Sequence, residues 1–256
     1  MKAIFISDAH LRDPQDENYR LLLELLERQE NLDALFLLGD IFEFWLGYEH
    51  LVFAAYVPLL ERLRKLSSQG TRLYFVEGNH DFQLGPYFSD TLGCRIITRQ
   101  QDLDWDGLHI HLCHGDLVHP TRGYLWLRSL WRSRLIKILA RIIHPDLVWK
   151  FGIWLSDKSQ KKKCSQHRPD PTPWLLDYAH RQDLGNVDLL VCGHFHHPLD
   201  ISTGQLRIIA LGDWLSRYSF LQLDNGKISS ASYPDGFSAS VPVSAPAASR
   251  PEAPVV

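Results

Sequence analysis

The stretch Leu35-Phe36-Leu37-Leu38-Gly39-Asp40 determines the fold that we expect for this chain. An uninterrupted apolar run of this length is typical of a strand that is buried on both faces, as in a parallel sheet. In open α/β sheets, ligands bind at the carboxyl ends of the strands. A carboxylate at that position is costly among apolar neighbours unless a cation meets it. Asp40 is therefore predicted to bind a cationic ligand.

The segments on either side of this strand predict an α/β protein. Strands are predicted at 2–7, 34–38 and 72–76, and they alternate with amphipathic helices at 18–30 and 51–68. This alternation favours a largely parallel central sheet. Further strands are predicted at 94–98, 108–113 and 187–192, followed by antiparallel strands at 206–211, 219–223 and 227–233.

Polar side chains follow five of these predicted strands: Asp8 and His10, Asp40, Asn79, His114, and His194 and His196. Carboxylate, imidazole and amide ligands without thiolate suit divalent ions such as manganese, iron or zinc. Seven ligands are too many for one ion that keeps an open position, so two ions that share one carboxylate are predicted. Each motif alone is weak evidence, because such short patterns often end a strand or form a turn. Their joint occurrence in order, each at a strand end, carries the prediction.

Length and composition exclude several classes of protein. The 256 residues suffice for a full core, as one large domain or as one domain with an inserted cap. Four cysteines, Cys94, Cys113, Cys164 and Cys192, form no CxxC pair and are predicted to be reduced. The amino terminus does not have the form of a signal peptide, and no apolar run of about 18 residues occurs. A cytoplasmic location is expected.

One segment, residues 122–168, differs in charge from the rest of the chain. It has twelve Lys and Arg and two Asp, a balance of +10, so the remainder carries −13 of the net −3. It is helical by composition and contains Trp126, Trp131, Trp149 and Trp154. Tryptophan together with basic charge favours contact with an amphiphile or a membrane surface, and a core-packing helix with a solvated basic face is the alternative. A nucleic-acid partner is not expected, because no recognition motif occurs. Residues 237–256 are predicted to be a disordered tail.

The ordered motifs resemble the calcineurin-like metallophosphoesterases. They are Asp8-x-His10, Gly39-Asp40, Gly78-Asn79-His80-Asp81, His114-Gly115-Asp116 and Gly193-His194-x-His196. The resemblance implies a four-layer α/β/β/α sandwich over residues 1–236, with the helical cap inserted at 122–168. It implies one ion held by Asp8, His10, Asp40 and His196, and a second held by Asp40, Asn79, His114 and His194, with Mn²⁺ as the expected metal. Asp40 and His80 are the implied catalytic residues, and His80 would donate a proton or hydrogen bond to the phosphate or leaving group.

Within that superfamily, two stretches and the position of the cap resemble the UDP-2,3-diacylglucosamine hydrolases of lipid A biosynthesis. The stretches are GDIFEFWLG at 39–47 and NHDFQLG at 79–85. In the cap, Ser156, Gln160 and Lys163 have the spacing of a substrate-contacting set in that family. Together with Asn79, His80 and His194 they are the implied substrate contacts.

Three departures from the family pattern are Gln160 in place of asparagine, His80 in place of arginine, and the lack of a clear counterpart, around Pro120 to Gly123, of an acidic residue that the family has shortly after the HGD motif. The resemblance implies hydrolysis of a UDP-linked acylated sugar by a protein peripheral to the inner membrane. The alternatives are another phosphomonoester, phosphodiester or nucleotide substrate, which His80 would suit, and a metal-dependent scaffold without turnover.

Overall fold

The structure, a computed structural model, describes residues 1–164 and 169–234, without the side chains of 159–164. The predicted tail at 237–256 and the side chains of Gln160 and Lys163 lie outside the described residues.

The described chain forms thirteen strands and six α-helices. The strands are β1 (Lys2–Ile6), β2 (Ala34–Leu37), β3 (Trp45–Leu46), β4 (Arg72–Val76), β5 (Asp81–Phe82), β6 (Arg95–Ile97), β7 (Gln100–Trp105), β8 (Leu108–Cys113), β9 (Leu189–Cys192), β10 (Leu199–Thr203), β11 (Leu206–Ala210), β12 (Ser219–Asp224) and β13 (Lys227–Ser232). The helices are α1 (Glu17–Glu27), α2 (Val57–Ser68), α3 (Arg122–Trp131), α4 (Arg134–Ile142), α5 (Pro145–Cys164) and α6 (Thr172–Arg181).

Two larger sheets form the centre of the fold. The first has the order β13-β12-β1-β2-β4-β6, in which β1, β2, β4 and β6 are parallel and β12 is antiparallel to both of its neighbours. The second has the order β10-β11-β9-β8-β7, with β8, β9 and β11 parallel. Strands β3 and β5 form a small separate pair.

Three apolar layers hold the sheets and helices together. Helices α1 and α2 cover one face of the six-stranded sheet, where Leu22 and Leu63 pack with Leu35. Between the sheets, Phe5 and Phe36 stack with their ring centroids 4.4 Å apart, in a cluster that includes residues of β8 and β9. Helix α6 covers the outer face of the five-stranded sheet through a third cluster. The predicted four-layer α/β/β/α architecture is confirmed.

The local differences from the sequence prediction have identifiable causes. Strand β11 was expected in an antiparallel set with β12, and this was wrong, because β11 lies in the second sheet, parallel to β9 and antiparallel to β10. Helix α2 begins at Val57, six residues later than predicted, after a 3₁₀ turn at Ala54–Tyr56. Strand β7 escaped prediction because only Leu103 and Trp105 mark its alternation. Helix α6 and strands β3, β5 and β10 were also not predicted.

Helices α3, α4 and α5 occupy the segment that was expected to form a helical cap. Thr121 and Ser133 cap α3 and α4, each accepting a hydrogen bond from a backbone N–H of the first turn. Helix α5 contacts the body of the protein, where Trp149 packs on Phe53 and Tyr56. Among the helices at 1–164 and 169–234, none combines the length and apolar character that crossing a bilayer requires.

Candidate metal centre

Unusual backbone turns aim the predicted ligands at one place. Five of the seven have positive φ although none is glycine: Asp8 (53°), His10 (46°), Asp40 (54°), His194 (72°) and His196 (49°). Such conformations cost on the order of 1–3 kcal/mol each and cluster at functional sites. They lie in the loops that follow β1, β2 and β9, so the chain turns sharply at the carboxyl ends of these three strands. The strain is consistent with a site that the rest of the fold holds in place.

Glycine permits the close approach of the ligand loops. Gly39 has a φ of +86°, and a Cβ added there would lie 2.5 Å from His114 Nδ1. A Cβ on Gly78 would collide with a carboxylate oxygen of Asp40. Both positions therefore require glycine for the loops of β2, β4 and β8 to meet.

One group of candidate ligands comprises Asp8, His10 and His196, whose ligand atoms lie within 4.8 Å of one another. His196 Nε2 is 3.4 Å from Asp8 Oδ1, and the rings of His10 and His196 stack with centroids 5.4 Å apart. Asp8 is fully buried, and its Oδ1 accepts no hydrogen bond from the residues that the structure describes. A buried carboxylate oxygen without a donor fits a bound cation.

A second group comprises Asp40, His114 and His194, again with ligand atoms within 4.8 Å. His114 Nε2 lies 3.5 Å from Asp40 Oδ2 and 3.3 Å from Asn79 Oδ1. The other ring nitrogen, Nδ1, lies 2.7 Å from the Leu38 carbonyl oxygen. If Nδ1 donates to that carbonyl, Nε2 is left as the metal-binding atom.

Asp40 lies between the two groups. Its Oδ1 accepts the backbone N–H groups of Asn79 and His80, both at 2.8 Å, and its Oδ2 lies 3.9 Å from His10 Nε2. Burial acts to raise the pKa of Asp40, but His114, His80 and His10 outweigh it and hold that pKa well below its usual range. Burial likewise acts to lower the pKa of His114, while Asp40 and the other carboxylates raise it to about 10. The site therefore strongly favours positive charge, which divalent ions supply in exchange for protons.

Two carboxylates that the sequence analysis gave no role contact the ligand histidines. Glu43 Oε2 lies 3.4 Å from His10 Nδ1, and Asp213 Oδ2 lies 3.7 Å from His196 Nδ1. Carboxylates at the second ring nitrogen orient metal-binding histidines and raise their basicity. The available signal for Asp213 was its Gly212-Asp213 pair, which repeats the form of Gly39-Asp40.

His80 and Ser156, two predicted substrate contacts, meet at the junction of cap and body. His80 Nδ1 lies 2.9 Å from the Glu43 carbonyl oxygen and 3.2 Å from Ser156 Oγ. Ser156, on α5, is buried and donates to the Glu43 carboxylate. Burial lowers the pKa of His80, while Asp40 opposes that shift. All seven predicted metal ligands and both of these residues thus lie in or beside one site.

Asp81 binds the backbone of the loops that carry two of the predicted ligands. It is fully buried, and its carboxylate accepts four backbone N–H groups: Asp40 at 2.9 Å, Gly78 at 3.0 Å, Ile41 at 2.6 Å and Phe42 at 3.2 Å. These donors belong to the two loops that carry Asp40 and Asn79. Asp81 is therefore a positioning residue for both loops.

We expect Asp81→Asn to lower the free energy of unfolding by about 2 kcal/mol, the typical cost of leaving a buried hydrogen-bonding group unsatisfied. The amide retains one acceptor oxygen but turns its NH₂ group toward backbone N–H donors. Thermal unfolding with and without Mn²⁺ measures the loss. Asp177→Asn, which breaks the exposed pair with Arg181, is the matched control and should change stability little. Equal stabilities of Asp81→Asn and the wild type would contradict the positioning role.

The sequence is similar to that of a known family and of several known proteins. The sequence model of the calcineurin-like phosphoesterase family matches residues 1–198. The UDP-2,3-diacylglucosamine hydrolase of Vibrio cholerae is 33% identical over 235 residues, covering 86% of this chain and 94% of that protein. The hydrolase of the same name from Pseudomonas aeruginosa is 32% identical over 246 residues, covering 91% of this chain and 100% of that protein. A solved phosphoesterase from E. coli aligns with a TM-score of 0.46 at 20% identity, covering 92% and 94% of the two chains.

Proposed function

Because the chain belongs to the calcineurin-like phosphoesterase family and is a hydrolase, we propose that its substrate is UDP-2,3-diacylglucosamine. The products would be 2,3-diacylglucosamine 1-phosphate and UMP, in lipid A biosynthesis. The observation that carries this proposal is the identity of 32% and 33% to hydrolases of that name, over 91% and 86% of the chain. The ligand groups and the exposed apolar face of the cap support it independently.

The residues of the site fit two divalent ions. Asp8, His10, Asp40 and His196 would hold one ion, and Asp40, Asn79, His114 and His194 the other, with Mn²⁺ as the proposed metal. When bound, such ions neutralise charge on phosphoryl oxygens and activate water for in-line displacement. Asn79 and His194 would also contact the substrate phosphate.

His80 is the proposed proton donor. The Glu43 carbonyl and Ser156 hold its Nδ1, which leaves Nε2 for the phosphate or the leaving oxygen. Gln160 and Lys163 stay predicted substrate contacts on α5, since their side chains lie outside the described residues.

The cap supports a peripheral contact with the cytoplasmic face of the inner membrane. Large apolar side chains are exposed on all three of its helices, including Trp126 (68%), Ile142 (76%) and Trp154 (54%). On α4 the exposed Leu135, Ile138 and Ile142 accompany three basic residues, Arg134, Lys137 and Arg141. Apolar side chains flanked by basic charge are typical of helices that lie in the headgroup region of anionic membranes.

The cap contact predicts a loss of vesicle binding in one specific variant. Replacing Ile138 and Ile142 together by aspartate should weaken co-sedimentation with anionic phospholipid vesicles at least about tenfold. The substitutions remove apolar area that the membrane would bury, and they add negative charge that anionic lipid repels. Leu51→Asp changes a leucine outside the cap that is about as exposed as Ile138 and is the control. Vesicle binding that is indifferent to the double substitution would refute the membrane contact at α4.

The substrate is tested by UMP release from UDP-2,3-diacylglucosamine beside a non-lipid UDP-sugar, with Mn²⁺ present. We expect the lipid substrate to react far faster. The second candidate function is hydrolysis of another phosphate ester or nucleotide, and His80 in place of the arginine of the resembling family favours it. Equal or greater activity on the non-lipid compound would support that candidate and reject the lipid substrate. Binding of two Mn²⁺ ions without hydrolysis of either compound, or of an aryl phosphate, would indicate a scaffold.

A further inference from the structure

A basic cleft lies between the cap and the body, and one of its lining residues, Glu77, comes two residues before the predicted ligand Asn79. Its volume is about 430 Å³, within the range of small-molecule sites. Four of its lining residues are cations, Arg99, Arg128, Arg132 and Lys137, and one, Glu77, is an anion. None of the described side chains that line it is a large apolar one. The cleft therefore suits a polar anion and not an acyl chain.

Two of the cations connect the cleft to the loops of the metal centre. Arg132 pairs with Glu77 and donates to the Gly78 carbonyl oxygen at 2.8 Å, next to the predicted ligand Asn79. Arg128 donates from Nε to Asp116 Oδ2 at 2.9 Å, two residues after the predicted ligand His114. Both arginines are anchored by acidic partners and by backbone carbonyls, Arg128 also donating to that of Thr98. The two arginines thus connect the cleft to the loops that carry Asn79 and His114.

The other two cations differ from Arg128 and Arg132 in their surroundings. Arg99 follows β6 and Lys137 lies on α4, and neither forms an ion pair with any residue in the described part of the chain. Because Glu77 pairs with Arg132, the residues that line the cleft carry a net positive charge. Cations that converge on one cleft without partners provide strong charge-assisted donors for phosphate oxygens.

We infer that this cleft binds the nucleotide end of the substrate, the uridine 5′-phosphate portion, while the acylated sugar lies toward the apolar cap. The inference rests on the proposed function for the identity of the nucleotide. The placement of the two ends of the substrate follows from the residues around them. The described residues that line the cleft are polar except Gly85, which has no side chain. The exposed large apolar residues of α3, α4 and α5 offer the surface that acyl chains require.

The test measures binding of UMP by calorimetry to the full-length protein, once with Mn²⁺ and once with metal removed by EDTA. We expect Arg99→Ala combined with Lys137→Ala to weaken UMP binding about tenfold or more in both states, since two charge-assisted contacts are lost. Arg99→Lys combined with Lys137→Arg keeps both charges and should bind nearly as the wild type does. Arg134→Ala, which removes an exposed cation of α4 outside the cleft, is the matched control.

A second measurement determines which end of the substrate the cleft binds. In the Arg99→Ala, Lys137→Ala variant, we expect KM for UDP-2,3-diacylglucosamine to rise with kcat unchanged, and inhibition by 2,3-diacylglucosamine 1-phosphate to stay as in the wild type. Unaltered UMP affinity, equal weakening by Arg134→Ala, or selective loss of affinity for the lipid product would each overturn the inference. If the wild type fails to hydrolyse the lipid substrate but binds UMP through Arg99 and Lys137, the substrate proposal fails and the nucleotide cleft stands.

Discussion

Asp40→Asn is expected to abolish activity, lowering kcat/KM on the order of a thousandfold or more, because several kcal/mol of transition-state stabilisation depend on the ions that Asp40 would hold. The amide retains an oxygen to accept the N–H groups of Asn79 and His80, so the loop can keep its conformation. It removes the negative charge that lies 3.5 Å from His114 and 3.9 Å from His10. Metal content by elemental analysis and turnover of a generic aryl phosphate measure the result.

The shift of the melting temperature on adding Mn²⁺ separates lost metal binding from misfolding. A ligand that binds only the folded state stabilises it in proportion to its concentration over Kd. The wild type should gain stability with Mn²⁺, and Asp40→Asn should gain little while remaining folded by circular dichroism. Asp188→Asn is the control, since Asp188 precedes β9 at the opposite rim and accepts from the backbone of His109. Full activity in Asp40→Asn would disprove a shared carboxylate.

The fold was predictable where apolar runs are long. Leu35 to Leu38 lies between two other buried parallel strands, so every residue of the run is covered and the pattern is continuous. Strand β10 shows the reverse case: it lies at the edge of the second sheet, is half exposed, and its sequence LDIST carries little apolar signal. Strand β11 has an apolar run, but that run does not indicate which strand it pairs with. Strands β9, β10 and β12 all lie close to it in sequence, and it pairs with β9 and β10.

The ligand groups were predictable because their spacing repeats at strand ends, but the residues that hold them were not. Glu43 contacts His10, His80 and Ser156, and the contact with Ser156 depends on how helix α5 of the cap meets the body. The positive φ values of Asp8, His10 and Asp40 are equally invisible in a sequence, since nothing about aspartate or histidine demands them. Only the neighbouring glycines, such as Gly39, signalled sharp turns.

His80→Gln is expected to lower kcat by about 10² to 10⁴-fold with little change in KM, the range for loss of a general acid. The Glu43 carbonyl fixes Nδ1 as the hydrogen-bearing nitrogen of the neutral ring, so Nε2 carries the proton only when the ring is protonated. The loss should be much smaller for a substrate with an aryl leaving group, which needs no proton. A comparison of UDP-2,3-diacylglucosamine with a nitrophenyl phosphodiester measures this difference.

The pH profile distinguishes proton donation from a purely structural role of His80. Burial lowers the pKa of His80 below its ordinary value of 6.5, so its acid form is present at low pH and is lost as the pH rises through that lowered pKa. The wild-type kcat/KM should therefore decrease as the pH rises, with the midpoint of this decrease below pH 6.5. The corresponding decrease of kcat should lie at higher pH, because bound phosphate stabilises the imidazolium. His80→Arg supplies a fixed charge at the same position and should keep more activity than His80→Gln while losing this decrease. A decrease that persists in His80→Arg would assign that proton to another group.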